Sequence, residues 1–211
     1  MDNIKLCHVT KSFGSQRVLD RIDLELESSK IYGIVGRNAS GKTVLLKCIL
    51  GFLNPDDGEI LINGSPRNKS TQFLANAGFL INSPGFLPEM SGYKNLKYLA
   101  SIRQKANNMD IRDAMTFVGL DPTSKKRVAA YSLGMRQKLA IAQAIMEKPD
   151  ILIMDEPMNA LDDKSVDKIR GLLQKLRQEG KLIVLTSHNR EDIDLLCDEV
   201  YRMGNGQLSK I

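Results

Sequence analysis

A glycine-rich segment close to residue 40 has the composition and spacing of a phosphate-binding loop. The sequence GRNASGKT, from Gly36 to Thr43, matches the pattern G-x-x-x-x-G-K-[ST]. The apolar run Ile31–Val35 precedes it and a helical pattern follows, which is the strand–loop–helix context that phosphate binding requires. A glycine-rich turn with a surface lysine is the alternative, and these flanks argue against it.

In such a loop, backbone N–H groups and the positive end of the following helix surround a phosphate. Lys42 is expected to reach the β- and γ-phosphates, and the Thr43 hydroxyl is expected to coordinate Mg²⁺. The residues predicted to bind a nucleotide are Gly36, Arg37, Asn38, Ala39, Ser40, Gly41, Lys42, Thr43 and Val44.

Two adjacent carboxylates end a second apolar run and predict the catalytic part of the same site. Asp155 and Glu156 follow Ile151–Met154, and successive strand side chains point in opposite directions. Asp155 is therefore expected to hold Mg²⁺, while Glu156 orients and polarises an attacking water. A solvated strand end is the alternative for this pair alone, and the phosphate loop earlier in the chain makes it less favourable.

Composition and charge exclude several classes of protein. The chain has 211 residues, of which 42% are hydrophobic and 26% charged, so it is neither a disordered tail nor a fibre. The 30 basic and 25 acidic side chains give a net charge of +5, which suits a polyanionic ligand but is too small to indicate nucleic acid. The basic run Lys125–Arg127 is expected to be solvated surface, so no nucleic-acid partner is predicted.

The cysteines and the apolar segments indicate the cellular compartment of the protein and whether this chain spans a membrane. Cys7, Cys48 and Cys197 are odd in number and form no C-x-x-C pair, so neither a disulfide framework nor a zinc site is indicated and a reducing cytosol is expected. The first residues lack the apolar core of a signal peptide. Segment 70–88 is uncharged, but its prolines, glycines and amides do not suit a membrane-spanning helix. Any membrane span is therefore expected on a separate chain.

Apolar patterning predicts an α/β fold. The runs Ile31–Val35, Ile151–Met154 and Leu182–Leu185 are short and continuously apolar, as in strands covered on both faces of a parallel sheet. Residues Ile22–Glu27 alternate apolar and charged side chains, which predicts a half-exposed antiparallel strand. Tight hairpin turns are predicted at Asn63-Gly64 and Asn205-Gly206.

Helical patterns lie between these strands. They cover Lys42–Leu50, the i, i+3, i+4, i+7 apolar set that starts at Ile111, and Asp163–Glu179. Residues 89–148 show no convincing strand and are predicted to form a helical subdomain. We expect a single domain over 1–211, in which about 1–88 and 149–211 form the core around this insertion.

The segment YSLGMRQ, from Tyr131 to Gln137, resembles the signature motif of ATP-binding-cassette ATPases. In that family a phosphate loop, a helical subdomain carrying the signature, an acidic strand, a short loop and a histidine follow in this order. The resemblance extends over essentially all 211 residues. It implies a P-loop NTPase core with a mostly parallel central sheet, an N-terminal antiparallel β-subdomain and an inserted α-helical subdomain, with ATP and Mg²⁺ as ligands.

The resemblance also implies individual roles. Phe13 matches an aromatic residue that stacks on adenine, and the implied catalytic residues are Glu156, His188 and Lys42, with His188 sensing the γ-phosphate. The signature residues implied to contact the nucleotide of a facing protomer are Ser132, Leu133, Gly134, Met135 and Gln137. The loop through which protomers would sense each other corresponds to Asn159, Ala160, Leu161 and Asp162.

One position departs from the family pattern. Where the family usually has Gln in the loop that joins the core to the helical subdomain, this chain has Asn82, which is one methylene shorter. It is the third implied Mg²⁺ ligand, beside Thr43 and Asp155. The apolar run Gly85–Pro88 follows, on a face that in the family receives a helix of the membrane subunit; a core-packed loop is the alternative.

The function that the resemblance implies is ATP binding and hydrolysis in a transporter. The subunit would form a homodimer or heterodimer on ATP binding, lie peripherally on the cytoplasmic face of the cell membrane and power a separate transmembrane permease subunit. Residues 82–86 and 131–135 resemble the exporter branch associated with peptide antibiotics.

The same residues argue against several other functions. A GTPase would need N-K-x-D, but Asn68-Lys69 is followed by Ser70-Thr71. A small-molecule kinase leaves the signature unexplained, and a module that binds without hydrolysis would be expected to lose Glu156 or His188. The remaining alternative is a cytosolic cassette ATPase that acts on nucleic acid, ribosomes or cluster assembly.

Overall fold

The computed structural model describes residues 3–67, 73–74, 76–82 and 85–211. Within them the strands are β1 Asn3–Phe13, β2 Gln16–Glu27, β3 Ile31–Val35, β4 Asp57–Ile62, β5 Ser65–Pro66, β6 Ala77–Leu80, β7 Ile151–Asp155, β8 Leu182–Thr186, β9 Glu199–Gly204 and β10 Gln207–Lys210. The helices are α1 Lys42–Leu50, α2 Gly92–Arg103, α3 Asn108–Phe117, α4 Leu133–Ile145, α5 Asp163–Gln178 and α6 Arg190–Leu196, with a 3₁₀ turn at Val128–Ala130. None of these helices has both the length and the apolar character needed to cross a membrane. Residues 83 and 84 of the predicted connecting loop lie outside the described residues.

The larger sheet is mostly parallel, and its carboxyl edge positions the site. In the described chain its strand order is β10-β9-β3-β8-β7-β6, with parallel pairing from β9 to β6 and antiparallel pairing of β10 with β9. The three predicted core strands, now β3, β7 and β8, are confirmed and lie side by side. Their carboxyl ends meet at one edge, where ligands collect in open α/β sheets.

Both faces of this sheet are buried, which explains why its strands are continuously apolar. In β7, Leu152 and Met154 join a core formed with the helical subdomain, α5 and α6. Ile151 and Ile153 join a second core with α1 and the smaller sheet. Full burial of each such side chain stabilises the fold by about 1.5–3 kcal/mol. The sheet is therefore a rigid base for the residues at its edge.

The smaller sheet is antiparallel, in the order β2-β1-β4-β5 over the described residues. In β2 the even positions from 22 to 26 are buried and the odd positions from 23 to 27 are exposed, so the predicted alternation is confirmed. The turns at Asn63-Gly64 and Asn205-Gly206 are also confirmed. All four of these residues have positive φ, as two-residue hairpin turns require.

Residues 89–148 form the predicted helical layer through α2, α3 and α4. Ser91 and Ser132 cap α2 and α4 with their hydroxyls, and Asn107 forms a reciprocal capping box with Asp110 at the start of α3. Over the described part of this range, the strand-like pairing is an isolated bridge between Ser91 and Arg127. The helix ends are therefore specified locally, by side chains at their first turns.

No strand was predicted at residues 78–80, just before Asn82. They form most of β6, which pairs in parallel with β7 and sets Gly78 opposite Leu152. The carbonyl of Ala144 in α4 packs so closely on Gly78 that a Cβ would not fit there. The strand has only four residues, and one of them is this glycine, so the sequence shows no recognisable alternation or apolar run there. It brings Asn82 close to the carboxyl edge of the sheet.

Candidate functional site

The glycine-rich loop runs from the end of β3 to the start of α1, as predicted. Gly41 has a φ of +106°, which side chains disfavour, and it is the residue that precedes α1. At Gly36 an added Cβ would collide with the carbonyl of Met203 and with the hydroxyl of Ser40. Both glycines of the pattern are therefore required by the local backbone.

Two polar side chains of this loop have the environment of an anion-binding site. Lys42 Nζ donates to the carbonyl oxygens of Gly36 at 2.7 Å and Arg37 at 3.3 Å, and the residue is only 7% exposed. The buried hydroxyl of Ser40 has no hydrogen-bond partner among the described residues. An unpaired buried hydroxyl is unfavourable, and an unneutralised buried ammonium group more so. A phosphate would supply both the acceptor and the countercharge, so the loop fits the predicted ligand.

Asp155 is held by a threonine on each side. Thr43 Oγ1 donates to Asp155 Oδ2 and Thr186 Oγ1 donates to Asp155 Oδ1, both at 2.6 Å. Thr186 is available because β7 and β8 pair in register at Asp155 and Thr186. The carboxylate thus faces the first turn of α1, where it lies with Thr43 as the prediction of a shared Mg²⁺ site requires. A hydroxyl and one carboxylate suit Mg²⁺ that takes its other ligands from phosphates and water.

Glu156 lies directly beyond β7 in a strained and partly buried position. Its φ is +52°, and its N–H donates to Thr186 Oγ1 at 2.9 Å. Oε2 accepts from the backbone N–H of His188 at 3.2 Å, and His188 Nε2 lies 3.0 Å from Oε1. Oε1 forms no hydrogen bond within the described chain. Burial raises the pKa of Glu156, and the facing His188 opposes part of that rise. A partly buried carboxylate with a raised pKa that lies beside a histidine has the properties of a general base.

The loop that carries His188 is fixed by a buried ion pair. Asp192, which is 1% exposed, accepts from Arg170 Nη2 at 2.7 Å and Nε at 3.0 Å. Its other oxygen accepts from the hydroxyl of Ser187 at 3.0 Å, and that hydroxyl accepts from the N–H of Asn189 at 3.1 Å. The residues on both sides of His188 are therefore held in place from α5 and α6.

One concavity gathers most of the residues that were predicted to bind or hydrolyse the chain's own nucleotide. It is lined by the loop residues 38–44, Asp155, Glu156 and His188, together with Phe13 from the end of β1. The Phe13 side chain is exposed to 49%, with Lys11 Nζ 5.8 Å from its ring centroid. Gln16 and Val18 line the same concavity and were missed, because nothing in a strand sequence distinguishes them. The structure therefore joins the aromatic residue, the phosphate loop and the carboxylates.

The signature residues lie away from this concavity in a single chain. Ser132 accepts from the N–H of Met135 at 3.2 Å as the cap of α4, and Leu133 is 67% exposed. A Cβ on Gly134 would lie 2.6 Å from the carbonyl oxygen of Ala160. The positive N-terminal end of this 13-residue helix is therefore exposed, together with the hydroxyl of Ser132 and the side chain of Leu133.

Gln137 differs from the other signature residues, because its side chain is engaged within its own chain. Nε2 donates to the carbonyl oxygen of Glu156 at 3.0 Å and to that of Pro157 at 2.9 Å. The sequence placed this residue at the nucleotide of a facing protomer. Within one chain it contacts the catalytic segment instead.

The predicted sensing loop forms a tight turn between β7 and α5. The N–H of Asn159 donates to the Glu156 carbonyl at 3.2 Å, and the N–H of Leu161 donates to that of Met158 at 3.2 Å. The Asp162 carboxylate caps α5 by accepting from the N–H and the hydroxyl of Ser165. These hydrogen bonds, and a further one from Lys138, lower the pKa of Asp162 to about 2. The turn is thus attached to α5 at its end.

Asn82 is not brought into the site. It is exposed, has a φ of +55°, and in the described chain it neither lines the concavity nor hydrogen-bonds with Thr43 or Asp155. The apolar run after it borders a separate groove on the helical layer. Asn95, which is 3% exposed, fixes this run by bonding both backbone groups of Leu87. Leu87 and Tyr98 line this groove and are 41% and 54% exposed.

Comparison with known proteins yields one family. The family model described as "ABC transporter" matches residues 19–159. The chain is 41% identical over 205 residues to the uncharacterized ABC transporter ATP-binding protein YybJ of Bacillus subtilis, covering 97% of this chain and 94% of that protein. It is 37% identical to the bacitracin transport ATP-binding protein BcrA of Enterococcus faecalis, covering 95% of this chain and 66% of BcrA.

A solved structure matches the fold closely. It is the dimeric, post-hydrolysis state of an ATP-binding cassette bound to ADP and Pi, and it superposes with a TM-score of 0.87 over 98% of both chains. The sequence identity is 22%, so this likeness establishes the architecture of the chain.

Proposed function

This chain belongs to the ABC transporter family, and from that premise we propose that it binds and hydrolyses ATP to power a separate transmembrane permease subunit. ATP binding would close two such subunits on each other, and hydrolysis to ADP and phosphate would let them open. The observation that carries the proposal is Glu156, whose partly buried carboxylate stands beside His188 at the mouth of the phosphate loop.

The phosphate loop would bind the triphosphate. Lys42 would leave the carbonyl oxygens that it now contacts and pair with the β- and γ-phosphates, and the Ser40 hydroxyl would gain an acceptor. Mg²⁺, held by Thr43 and Asp155, would neutralise charge on these phosphates. The exposed face of Phe13 would stack on adenine.

Glu156 would act as the general base on the attacking water. Its carboxylate accepts a proton from the water while the water oxygen forms a bond to the γ-phosphorus. The bond from that phosphorus to the bridging oxygen breaks, and its electron pair leaves with ADP. His188, 3.0 Å from the same carboxylate, would hold the γ-phosphate in line, so most of the rate enhancement would come from positioning and charge stabilisation.

The second half of each site would come from a facing copy or a related subunit. Ser132, Leu133 and Gly134 lie at the start of α4, and none of them lines the concavity that contains the chain's own phosphate loop. A helix N-terminus with a serine hydroxyl is a second anion site. Two chains related by a two-fold axis would each complete the other's site.

The transmembrane partner would dock in the groove beside Leu87 and Tyr98. These exposed apolar side chains suit an apolar helix of a separate permease chain, which would lie at the cytoplasmic face of the membrane. BcrA is named for bacitracin transport, and this favours a peptide antibiotic as the transported compound and transport over a role on nucleic acid.

The test is equilibrium titration of the purified chain with ATP and Mg²⁺, together with phosphate release from ATP. We expect Lys42→Ala to weaken ATP binding by roughly tenfold or more, because a charge-assisted contact to phosphate is lost. Lys47→Ala, five residues later on α1, is the matched control and should bind ATP normally. Undiminished ATP affinity in Lys42→Ala would refute the assignment of the phosphate site.

A further inference from the structure

Helix α4 is attached to the segment that follows β7, which we call the 156–162 segment, and the attachment lies within one chain. The side-chain amide of Gln137 donates to two consecutive carbonyl oxygens, those of Glu156 at 3.0 Å and Pro157 at 2.9 Å. One amide N–H₂ group has two protons, so both are used by the backbone of the catalytic residue and its neighbour.

Two further contacts hold the same surfaces together. Lys138 Nζ lies 3.1 Å from Asp162 Oδ2. Gly134 packs so closely on the Ala160 carbonyl that a side chain there would force the two apart. The first two turns of α4 and the 156–162 segment are therefore in contact at three points. These contacts link the helical subdomain to the segment that carries the catalytic carboxylate of its own chain.

The backbone of Glu156 needs support on both sides. Its φ of +52° is a conformation that costs about 1–3 kcal/mol for a residue other than glycine, so surrounding contacts must maintain it. Thr186 holds the N–H of Glu156 at 2.9 Å, and its carbonyl accepts from Gln137 at 3.0 Å and from the N–H of Asn159 at 3.2 Å. Only Gln137 also binds the next carbonyl, that of Pro157, among these contacts. Loss of Gln137 would leave the peptide after Glu156 held only from within its own turn, so that the carboxylate could move relative to His188.

We propose that Gln137 is a positioning residue for Glu156 of its own chain, rather than a contact to the nucleotide of a facing protomer. The proposal rests on the proposed ATPase function, since its effect is on the hydrolytic step. Under this proposal Gln137 acts within its own chain, whereas Ser132 and Gly134 contact the nucleotide of the facing protomer. Displacement of the helical subdomain would then change the hydrolysis rate through Gln137.

The first test is Gln137→Met, which keeps side-chain length and removes both donor protons. We expect kcat to fall by about tenfold or more, as for a misplaced catalytic group, while the dissociation constant for ATP stays within about twofold. Gln137→Lys restores N–H donors at similar reach and should recover part of the rate. The control is Gln143→Met on the same helix, which should behave as the unaltered chain.

Each outcome of this test decides the matter. An unchanged kcat in Gln137→Met would overturn the proposal, as would weakened ATP binding, which a contact to the facing nucleotide predicts. If Gln137→Met does not fold, Gln137→Lys decides alone. A rate closer to that of the unaltered chain than to background supports the proposal, and a rate at background overturns it.

A second test separates the two possible positions of Gln137. In a Glu156→Gln background, ATP should trap a closed dimer that elutes as such in size-exclusion chromatography. Adding Gln137→Met should leave the ATP concentration needed for that dimer unchanged, whereas a contact across the dimer would raise it and overturn the proposal. If Glu156→Gln alone forms no dimer, the proposed dimeric function fails, and the kcat result for Gln137→Met still decides the role of Gln137.

Discussion

Replacing Thr186 with valine would remove the one side chain that binds both neighbouring acidic residues in the described structure. Thr186 is 0% exposed, and valine has nearly the same shape without the hydroxyl. Its Oγ1 donates to Asp155 at 2.6 Å and accepts from the N–H of Glu156 at 2.9 Å. The substitution therefore tests whether β8 positions the two carboxylates.

The expected magnitude follows from these two bonds. A hydrogen bond to a charged group contributes about 1.5–3 kcal/mol and a neutral one about 0.5–1.5 kcal/mol, so Thr186→Val should destabilise the chain by roughly 2–4 kcal/mol. For a chain of this size that lowers Tm by on the order of 10 °C. The N–H of Glu156 also loses its acceptor, so the strained backbone should relax and kcat should fall by about tenfold or more.

The assay is thermal unfolding followed by far-UV circular dichroism, together with steady-state phosphate release. Thr186→Ser is the matched control, because it keeps the hydroxyl and should retain most of both stability and rate. A Thr186→Val chain that unfolds within about 1 °C of the unaltered chain and hydrolyses ATP at the same rate would refute the reasoning, because the two bonds would then contribute nothing measurable.

Two further predictions concern the nucleotide and the pH. Phe13→Ala should weaken ATP binding by roughly tenfold or more, as for loss of base stacking, while Phe13→Tyr binds normally in equilibrium titration; equal affinities would exclude Phe13 from the adenine site. Burial raises the pKa of Glu156 in the folded chain. Between the unfolded and the folded pKa, the folded chain therefore binds more protons at Glu156 than the unfolded chain does. The free energy of unfolding consequently falls as the pH rises through this interval. Glu156→Gln removes this titration. In a thermal-unfolding series, the Tm of Glu156→Gln minus the Tm of the unaltered chain should therefore increase with pH. A difference that decreases with pH would show that the pKa of Glu156 is not raised.

The phosphate loop and the acidic strand were predictable because each is a continuous segment. Gly36 to Thr43 carries its own turn and helix start, and Ile151–Met154 is apolar on both faces because the sheet is covered on both sides. Local sequence therefore specifies local structure there. The same holds for the hairpin turns, in which Asn-Gly pairs supply positive φ at both positions.

Contacts that depend on register and helix orientation were not predictable. Thr186 reaches Asp155 because β8 pairs with β7 at that position, and a threonine at a strand end is ordinary in sequence. Gln137 belongs to a motif whose family role lies across a dimer, while its contact with Glu156 depends on how α4 is oriented. Asn82 was expected near Mg²⁺ because it matches the position at which the family usually has Gln, but it does not line the concavity.

The central claim, that Glu156 activates water for ATP hydrolysis between two closed subunits, is tested most directly with Glu156→Gln. The amide keeps the shape of the side chain but cannot accept the proton of the water. We predict that phosphate release falls by about a hundredfold or more while ATP still binds and a closed dimer accumulates in size-exclusion chromatography. Phosphate release at the rate of the unaltered chain would contradict the account.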